Sequence, residues 1–213
     1  MSLAVKICGL STADAVQAAV DGGAAFVGFV FFDKSPRCVL PVQVKALAQH
    51  VPSDIPKVGL LVNATDDEIE TILKDAPLDM LQLHGSETPQ RVGEIKTKFS
   101  LPVMKVIAVG DAADVEKARI YETVADRLLF DAKPPRDASR PGGLGKAFNW
   151  ALLAGQAFTV PWMLAGGLIS GNLAAAVAAS GASGVDVSSG VEDSPGVKNP
   201  RKIKEFLEAA AGL

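Results

Sequence analysis

The sequence predicts a closed (β/α)8 barrel, an α/β architecture in which eight parallel strands are each followed by a helix. Three observations lead there. Eight short β-rich apolar runs recur along 213 residues. Helical periodicity fills the intervals between them, which is the pattern of parallel βαβ units. Eight such units in about 210 residues fit a closed barrel. A doubly wound open sheet is the structural alternative, but no Gly-x-Gly-x-x-Gly opens the first helix. No linker, charge run or low-complexity block divides the chain, so residues 1–213 read as one domain.

The elements follow in order. Residues 3–8 (LAVKIC) form the first strand, with Val5 and Ile7 on one face and Lys6 and Cys8 on the other. The apolar pair suits the helix side, which turns Lys6 and Cys8 into the barrel. Ser11 or Thr12 is placed to cap a helix carrying Ala15, Val16, Ala19 and Val20, stopped by Gly22-Gly23. Strand two is expected at 26–32, followed by a helix opened by Pro41. Strand three lies at 57–62, and Thr65 with Glu68 forms a capping box for the helix after it. Strand four spans 79–83, and Thr88-Pro89 opens the next helix. Strand five spans 103–108, with a helix around 111–121. Strand six ends at Asp131 (127–131) and precedes a helix near 146–155. Strands seven (161–165) and eight (184–188) flank a helix at 172–180 capped by Asn172. Asn199 and Pro200 start the last helix, which turns Ile203, Phe206 and Leu207 inward.

Composition narrows the function. Apolar residues at 48% and charged residues at 21% are ordinary for a folded chain and exclude extended disorder. A net charge of -3 argues against nucleic-acid partners, which need a basic face. A small anionic ligand needs only a few local donors. No window approaches 18 apolar residues, so no membrane span is expected, and MSLAVKICGL lacks the features of a signal peptide. Cys8 and Cys38 form no C-x-x-C or zinc pattern, which suggests a reduced, cytoplasmic protein. With only His50 and His84 beside them, no metal site is expected. The acidic surface, with no additional apolar stripe, suggests a monomer.

In a barrel, chemistry sits at the C-terminal strand ends and in the loops after them. Cys8 ends strand one, and an adjacent Lys6 ammonium would favour its thiolate, making it a base or nucleophile; a packed, inert cysteine is the plain alternative. Asp131 closes an apolar run. A carboxyl there is costly unless it is paired, with Lys133 as the nearby candidate, or opens onto the barrel mouth, where it can act as a general acid. Arg37 offers a fork that matches a carboxylate; a solvated loop is its alternative. Gly166, Gly167, Ser188, Ser189 and Gly190 form the candidate phosphate loops. The Pro/Gly-rich segment 134–146 has the length of a lid. Its Gly145-Lys146 is not a phosphate loop of the nucleotide-binding type, because Arg140 stands at the first glycine position and Ala147 replaces Ser/Thr. His84, at the end of strand four, could pair with Cys8 as in a thiol hydrolase.

Taken together, Lys6-Ile7-Cys8-Gly9, Ser35-Pro36-Arg37, Gln82-Leu83-His84-Gly85, Leu129-Phe130-Asp131, Gly142-Gly143-x-Gly145, Ala165-Gly166-Gly167-Leu168, Asp186-x-Ser188-Ser189-Gly190-Val191-Glu192 and Pro195-Gly196-x-Lys198 resemble the phosphoribosylanthranilate isomerase family. The resemblance spans nearly the whole chain in order. Asn199 departs from it, standing where an aspartate is expected. What the resemblance implies is an Amadori rearrangement of a phosphorylated small molecule in tryptophan biosynthesis, needing no cofactor. It implies Cys8 as general base, Asp131 as general acid, Arg37 on the anthranilate carboxylate and the last two loops on the phosphate, with Lys6, His84 and Asp186 in support. Other cofactor-free phosphosugar isomerases, a non-catalytic phosphosugar sensor and the thiol hydrolase are the competing classes.

Overall fold

A computed structural model describes residues 3–135, 141–145 and 147–213. Eight parallel strands close into a barrel in chain order: β1 (Ala4–Cys8), β2 (Phe26–Val30), β3 (Lys57–Leu61), β4 (Met80–Leu83), β5 (Val103–Val109), β6 (Arg127–Ala132), β7 (Trp162–Leu164) and β8 (Gly184–Val187). Closure comes from β8 pairing with β1, where Lys6 stands opposite Asp186. The helices are α1 (Ala13–Asp21), α2 (Pro41–Leu47), α3 (Asp66–Asp75), α4 (Pro89–Phe99), α5 (Ala112–Glu116), α6 (Leu173–Ser180) and α7 (Pro200–Ala211). Among the described residues no helix is long and apolar enough to cross a membrane.

The period-2 alternation of the strands sorts side chains into two layers. Val5, Ile7, Val27, Phe29, Leu81 and Leu83 pack outward beneath the helices. Phe26, Val58, Met104, Leu129 and Met163 fill the barrel interior. Burying each such side chain contributes roughly 1.5–3 kcal/mol. Above the interior layer, Cys8, Val30 and Leu60 form a small cluster at the mouth. Lys6 and Cys8 do face inward, as the alternation required.

Most helix starts follow their caps. The Thr12 hydroxyl accepts from Ala15 N at 3.3 Å, Thr65 and Glu68 close their capping box, and Asn199 accepts from Arg201 N and Lys202 N. Three expectations need correction, and one element was not foreseen. Strand two ends at Val30 rather than residue 32, because the chain folds back and Cys38 bridges to Val30. The helix near 146–155 is a single 3-10 turn, Trp150–Leu153, since its cap falls at Asn149 and Gly155 (φ 70°) follows; Lys146 lies outside the described residues. Asn172 stands at the N-cap of α6, but its side chain makes no capping bond. Its Oδ1 accepts from Ile169 N and its Nδ2 donates to the Gly167 carbonyl, bracing the loop after β7. A short antiparallel hairpin, β9 (Glu192–Ser194) and β10 (Val197–Lys198), follows β8 and turns through Gly196 (φ 88°); periodicity gave no sign of it.

Candidate active site

The C-terminal strand ends surround a pocket of about 820 Å³ including its open mouth. Cys8, Arg37, His84, Asp131, Asp186, Gly166, Gly167, Ser188, Ser189 and Gly190 all line it. Lys6 does not; it is fully buried below. Of the expected lid, Pro141 to Gly145 border the pocket, while 136–140 and 146 lie outside the described residues.

Lys6 Nζ sits 2.8 Å from Asp186 Oδ1 across the β1–β8 pair. Gly28 on β2 makes room for this group. A Cβ there would lie 3.0 Å from Lys6 Nζ and 3.1 Å from Cys8 Sγ. The electrostatics reverse one expectation. Burial pushes the Cys8 thiol up, and the Lys6 ammonium, itself engaged by Asp186, does not offset it. Lys6 lowers the thiol less than burial raises it. Lys6 itself is raised: burial lowers it, but Asp186 and Cys8 together outweigh that. The thiol is thus a weak acid, and its ionised form is a correspondingly strong base.

Asp131 Oδ1 accepts from Ala132 N at 2.8 Å, while Oδ2 faces His84 Nε2 at 3.4 Å. Gly166, at φ 89°, is pressed against this turn, with a Cβ there falling 3.2 Å from Asp131 Oδ1. The pairing of Asp131 with Lys133 does not occur. Lys133 binds Asp114 instead, at 2.9 Å, and Asp114 also accepts from Gly110 N and Lys117. Burial raises the Asp114 carboxyl, but these three donors outweigh it and hold the group well below the usual carboxylate range. His84 contacts Asp131 and Gln82, not Cys8, so the thiol-hydrolase pair is not assembled.

Sequence reasoning missed the groups that fix the loop after β4. Lys105 Nζ reaches Glu87 Oε2 and Gly85 O at 2.8 Å each, and Leu83 O at 3.2 Å. Glu87 Oε1 accepts from Asn63 N and Gly85 N. This buried, well-satisfied network sets the backbone that carries His84. Lysine on an apolar strand is its only signal in the sequence.

Arg37 is 4% exposed and its fork is already engaged. Nε and Nη2 meet Glu192 Oε1 and Oε2 at 2.6 and 2.8 Å, and Nη2 also reaches Gly143 O at 3.2 Å. Lys198 shares Glu192 at 2.6 Å. Burial raises the Glu192 carboxyl, yet Arg37 and Lys198 outweigh it and lower it overall. Glu192 and Lys198 stood in the quoted motifs without an assigned role.

The loops after β7 and β8 abut. A Cβ on Gly190 would collide with the Leu168 carbonyl oxygen. Gly166 and Gly167 take φ 89° and 68°, conformations that glycine adopts without strain. Beside them Ser189–Val191 forms one 3-10 turn. The pocket thus sets a thiol and a carboxyl beside a glycine- and serine-lined corner and a buried guanidinium, enough for two proton transfers on an anionic ligand.

Comparison with known proteins points to one family. A family model described as N-(5'-phosphoribosyl)anthranilate (PRA) isomerase matches residues 5–209. The chain is 52% identical to the N-(5'-phosphoribosyl)anthranilate isomerase of Paramagnetospirillum magneticum, over 100% of this chain and 99% of that protein. It is 53% identical to that of Paracoccus denitrificans, over 99% and 98%. Among solved structures, the Thermotoga maritima phosphoribosyl anthranilate isomerase superposes with a TM-score of 0.88 at 34% identity, covering 99% of this chain and 100% of that one. Another, in complex with reduced 1-(o-carboxyphenylamino)-1-deoxyribulose 5-phosphate, gives 0.85 at 31%, again over 99% and 100%.

Proposed function

Because the chain belongs to the N-(5'-phosphoribosyl)anthranilate isomerase family, we propose that its Cys8 and Asp131 divide the two proton transfers of the family's reaction. The chain isomerises N-(5-phosphoribosyl)anthranilate to 1-(2-carboxyphenylamino)-1-deoxyribulose 5-phosphate in tryptophan biosynthesis. Asp131 delivers a proton to the furanose oxygen as its bond to C1 breaks and the nitrogen lone pair forms a protonated Schiff base. That iminium is an internal electron sink, so C2–H becomes acidic. The ionised form of Cys8, reached once its thiol has given up its proton, removes the C2 proton. The resulting enolamine gains a proton at C1 as its C2 hydroxyl gives one up, and the ketone forms with no net change in protons. Each acid or base contributes about 10²–10⁴-fold.

The observation that carries this reading is the presence of Cys8 and Asp131 in one pocket between Arg37 and the glycine- and serine-lined loops. Gly166, Gly167, Ser188, Ser189 and Gly190 bind the phosphate, far from the reacting carbons, and that binding energy holds the opened chain in place. With Glu192 on its Nε and Nη2 and Gly143 O also on Nη2, Arg37 meets the anthranilate carboxylate through Nη1. Lys6 and Asp186 support Cys8, and His84 supports Asp131. Residues 1–213 act as one catalytic domain in the cytoplasm, where Cys8 stays a free thiol. The chain works as a monomer. Among the described residues the exposed large apolar side chains are Leu40, Val42, Ile120, Ile169, Val197 and Leu213; only Leu40 and Val42 share an element, the start of α2, which supports that reading, although one relative is described as dimeric.

The test is turnover of freshly generated phosphoribosylanthranilate, followed by loss of its fluorescence, for wild type, Cys8→Ala, Asp131→Asn and Arg37→Ala. The expected result is an active wild type, two folded variants with collapsed kcat, and an Arg37→Ala whose KM rises. Retained kcat in Cys8→Ala or Asp131→Asn overturns that residue's role. Light scattering checks the monomer.

A further inference from the structure

Between the two ends of the pocket, two buried cations share one buried carboxylate. Glu192 holds Arg37 through both oxygens and Lys198 through Oε1. The Lys198 ammonium continues to Ser188, reaching its carbonyl at 2.8 Å and its hydroxyl at 3.1 Å. Side-chain exposure is at most 4% for all three charged residues. An unbroken line of charge-assisted bonds therefore runs from Arg37 through Glu192 and Lys198 to Ser188. Such bonds are short and geometrically demanding.

The hairpin β9–β10 that supplies Glu192 and Lys198 is pinned on both sides. Gly196 N donates to Glu192 Oε2 at 3.2 Å, and Gly196 is so close to Pro36 that a Cβ there would collide with the Pro36 carbonyl oxygen. On the other side Lys202 Nζ holds the Glu192 carbonyl at 2.7 Å. Neither Glu192 nor Lys198 lines the pocket, whereas Arg37 and Ser188 both do. One negative charge against two positive ones leaves a surplus cation, and a surplus charge in a dry setting is costly until an anion balances it.

We infer that Glu192 and Lys198 are positioning residues that fix the separation between the carboxylate-binding and phosphate-binding ends. They thereby select ligands carrying both anions at one spacing. The inference rests on the proposed reading of Arg37 and the phosphate loops. A ligand with both groups binds as two linked fragments, and the gain from linking depends on how well the two subsites match its span. A rigid bridge keeps that match; a severed one lets the ends drift.

The experiment measures dissociation constants for inorganic phosphate, anthranilate and the reduced product analogue on wild type, Lys198→Gln, Lys198→Arg, Glu192→Gln and Arg37→Ala. For Lys198→Gln and Glu192→Gln, the analogue should lose about tenfold or more beyond the combined losses of the two fragments. KM should rise while kcat stays within about threefold, and Lys198→Arg, which keeps the bridging charge, should recover most of the loss. An analogue loss equal to the combined fragment losses, or a fall in kcat without a change in KM, overturns the inference. Thermal unfolding accompanies each variant. If Glu192→Gln does not fold, Lys198→Gln decides the question, because it leaves the Arg37–Glu192 pair intact. Arg37→Ala separates the two levels: unchanged anthranilate affinity there refutes the Arg37 assignment itself.

Discussion

His84 Nε2 stands 3.4 Å from Asp131 Oδ2, buried and without a hydrogen-bond partner among the described residues. The Gln82 amide lies 3.4 Å from the other ring nitrogen, Nδ1. Donation from that amide makes Nδ1 the acceptor and assigns the ring hydrogen to Nε2, facing Asp131. When Asp131 gives up its proton, that N–H is in position to stabilise the new carboxylate, and bonds of this kind tighten in the reacting complex. His84→Ala should therefore lower kcat by about tenfold or more with little change in KM. Steady-state kinetics check it, and an unchanged kcat removes His84 from the mechanism.

The state of Cys8 can be read directly. Its thiol is raised by burial, against the partial opposition of Lys6, so it should be protonated at neutral pH in the free enzyme. In a Cys38→Ser background, ultraviolet thiolate absorbance should show no Cys8 signal at pH 7 and a signal only above the ordinary thiol range. Lys6→Met removes the largest opposing cation and should move the titration higher still. Linkage gives a second readout. The unfolded chain ionises this thiol first, so the stability it contributes is full below the ordinary thiol pKa and is lost as pH rises through the folded value. A Cys8 thiolate at pH 7 would contradict the geometry.

The Lys6–Asp186 pair should be costly to break. Both groups are buried, at 0% and 8% exposure, and removing one partner leaves the other charged in a low-dielectric interior. Lys6→Met or Asp186→Asn should each lower unfolding free energy by about 3–5 kcal/mol, measured by urea denaturation. The double variant Lys6→Met/Asp186→Leu should recover much of that loss, because no charge then remains unpaired. Single variants as stable as wild type would show that water or rearrangement satisfies the survivor.

The barrel was legible because its rule is local: apolar runs of strand length recur, and caps such as Thr65 with Glu68 mark the helix starts. Strand-end position brought Cys8, Arg37, His84 and Asp131 to one mouth. What sequence could not give was pairing. Lys133 lies two residues from Asp131, yet it binds Asp114, which is nineteen positions away in the chain. Arg37 binds Glu192, at a separation of 155. The ionisation of Cys8 was hidden for the same reason: the sequence shows Lys6 beside it but not the Asp186 that engages the ammonium, nor the burial that outweighs it.

Gly142 offers the sharpest test of Asp131 as the acid. Its φ is not in the left-handed region, so alanine adds no backbone strain there, only a methyl group. That Cβ would lie 2.8 Å from Asp131 Oδ2 and 2.7 Å from His84 Cε1, inside van der Waals contact. Either the carboxyl or the 141–145 segment must move. Displacing a reacting group by an ångström can cost about 10²-fold in rate, so Gly142→Ala should lose kcat on that scale. The loops after β7 and β8 are untouched, and inhibition by inorganic phosphate should hold its wild-type strength. A parallel loss of phosphate binding would mean that the methyl group disturbs the whole mouth. Unchanged kcat would mean that the carboxyl facing Gly142 is not the one that opens the ring.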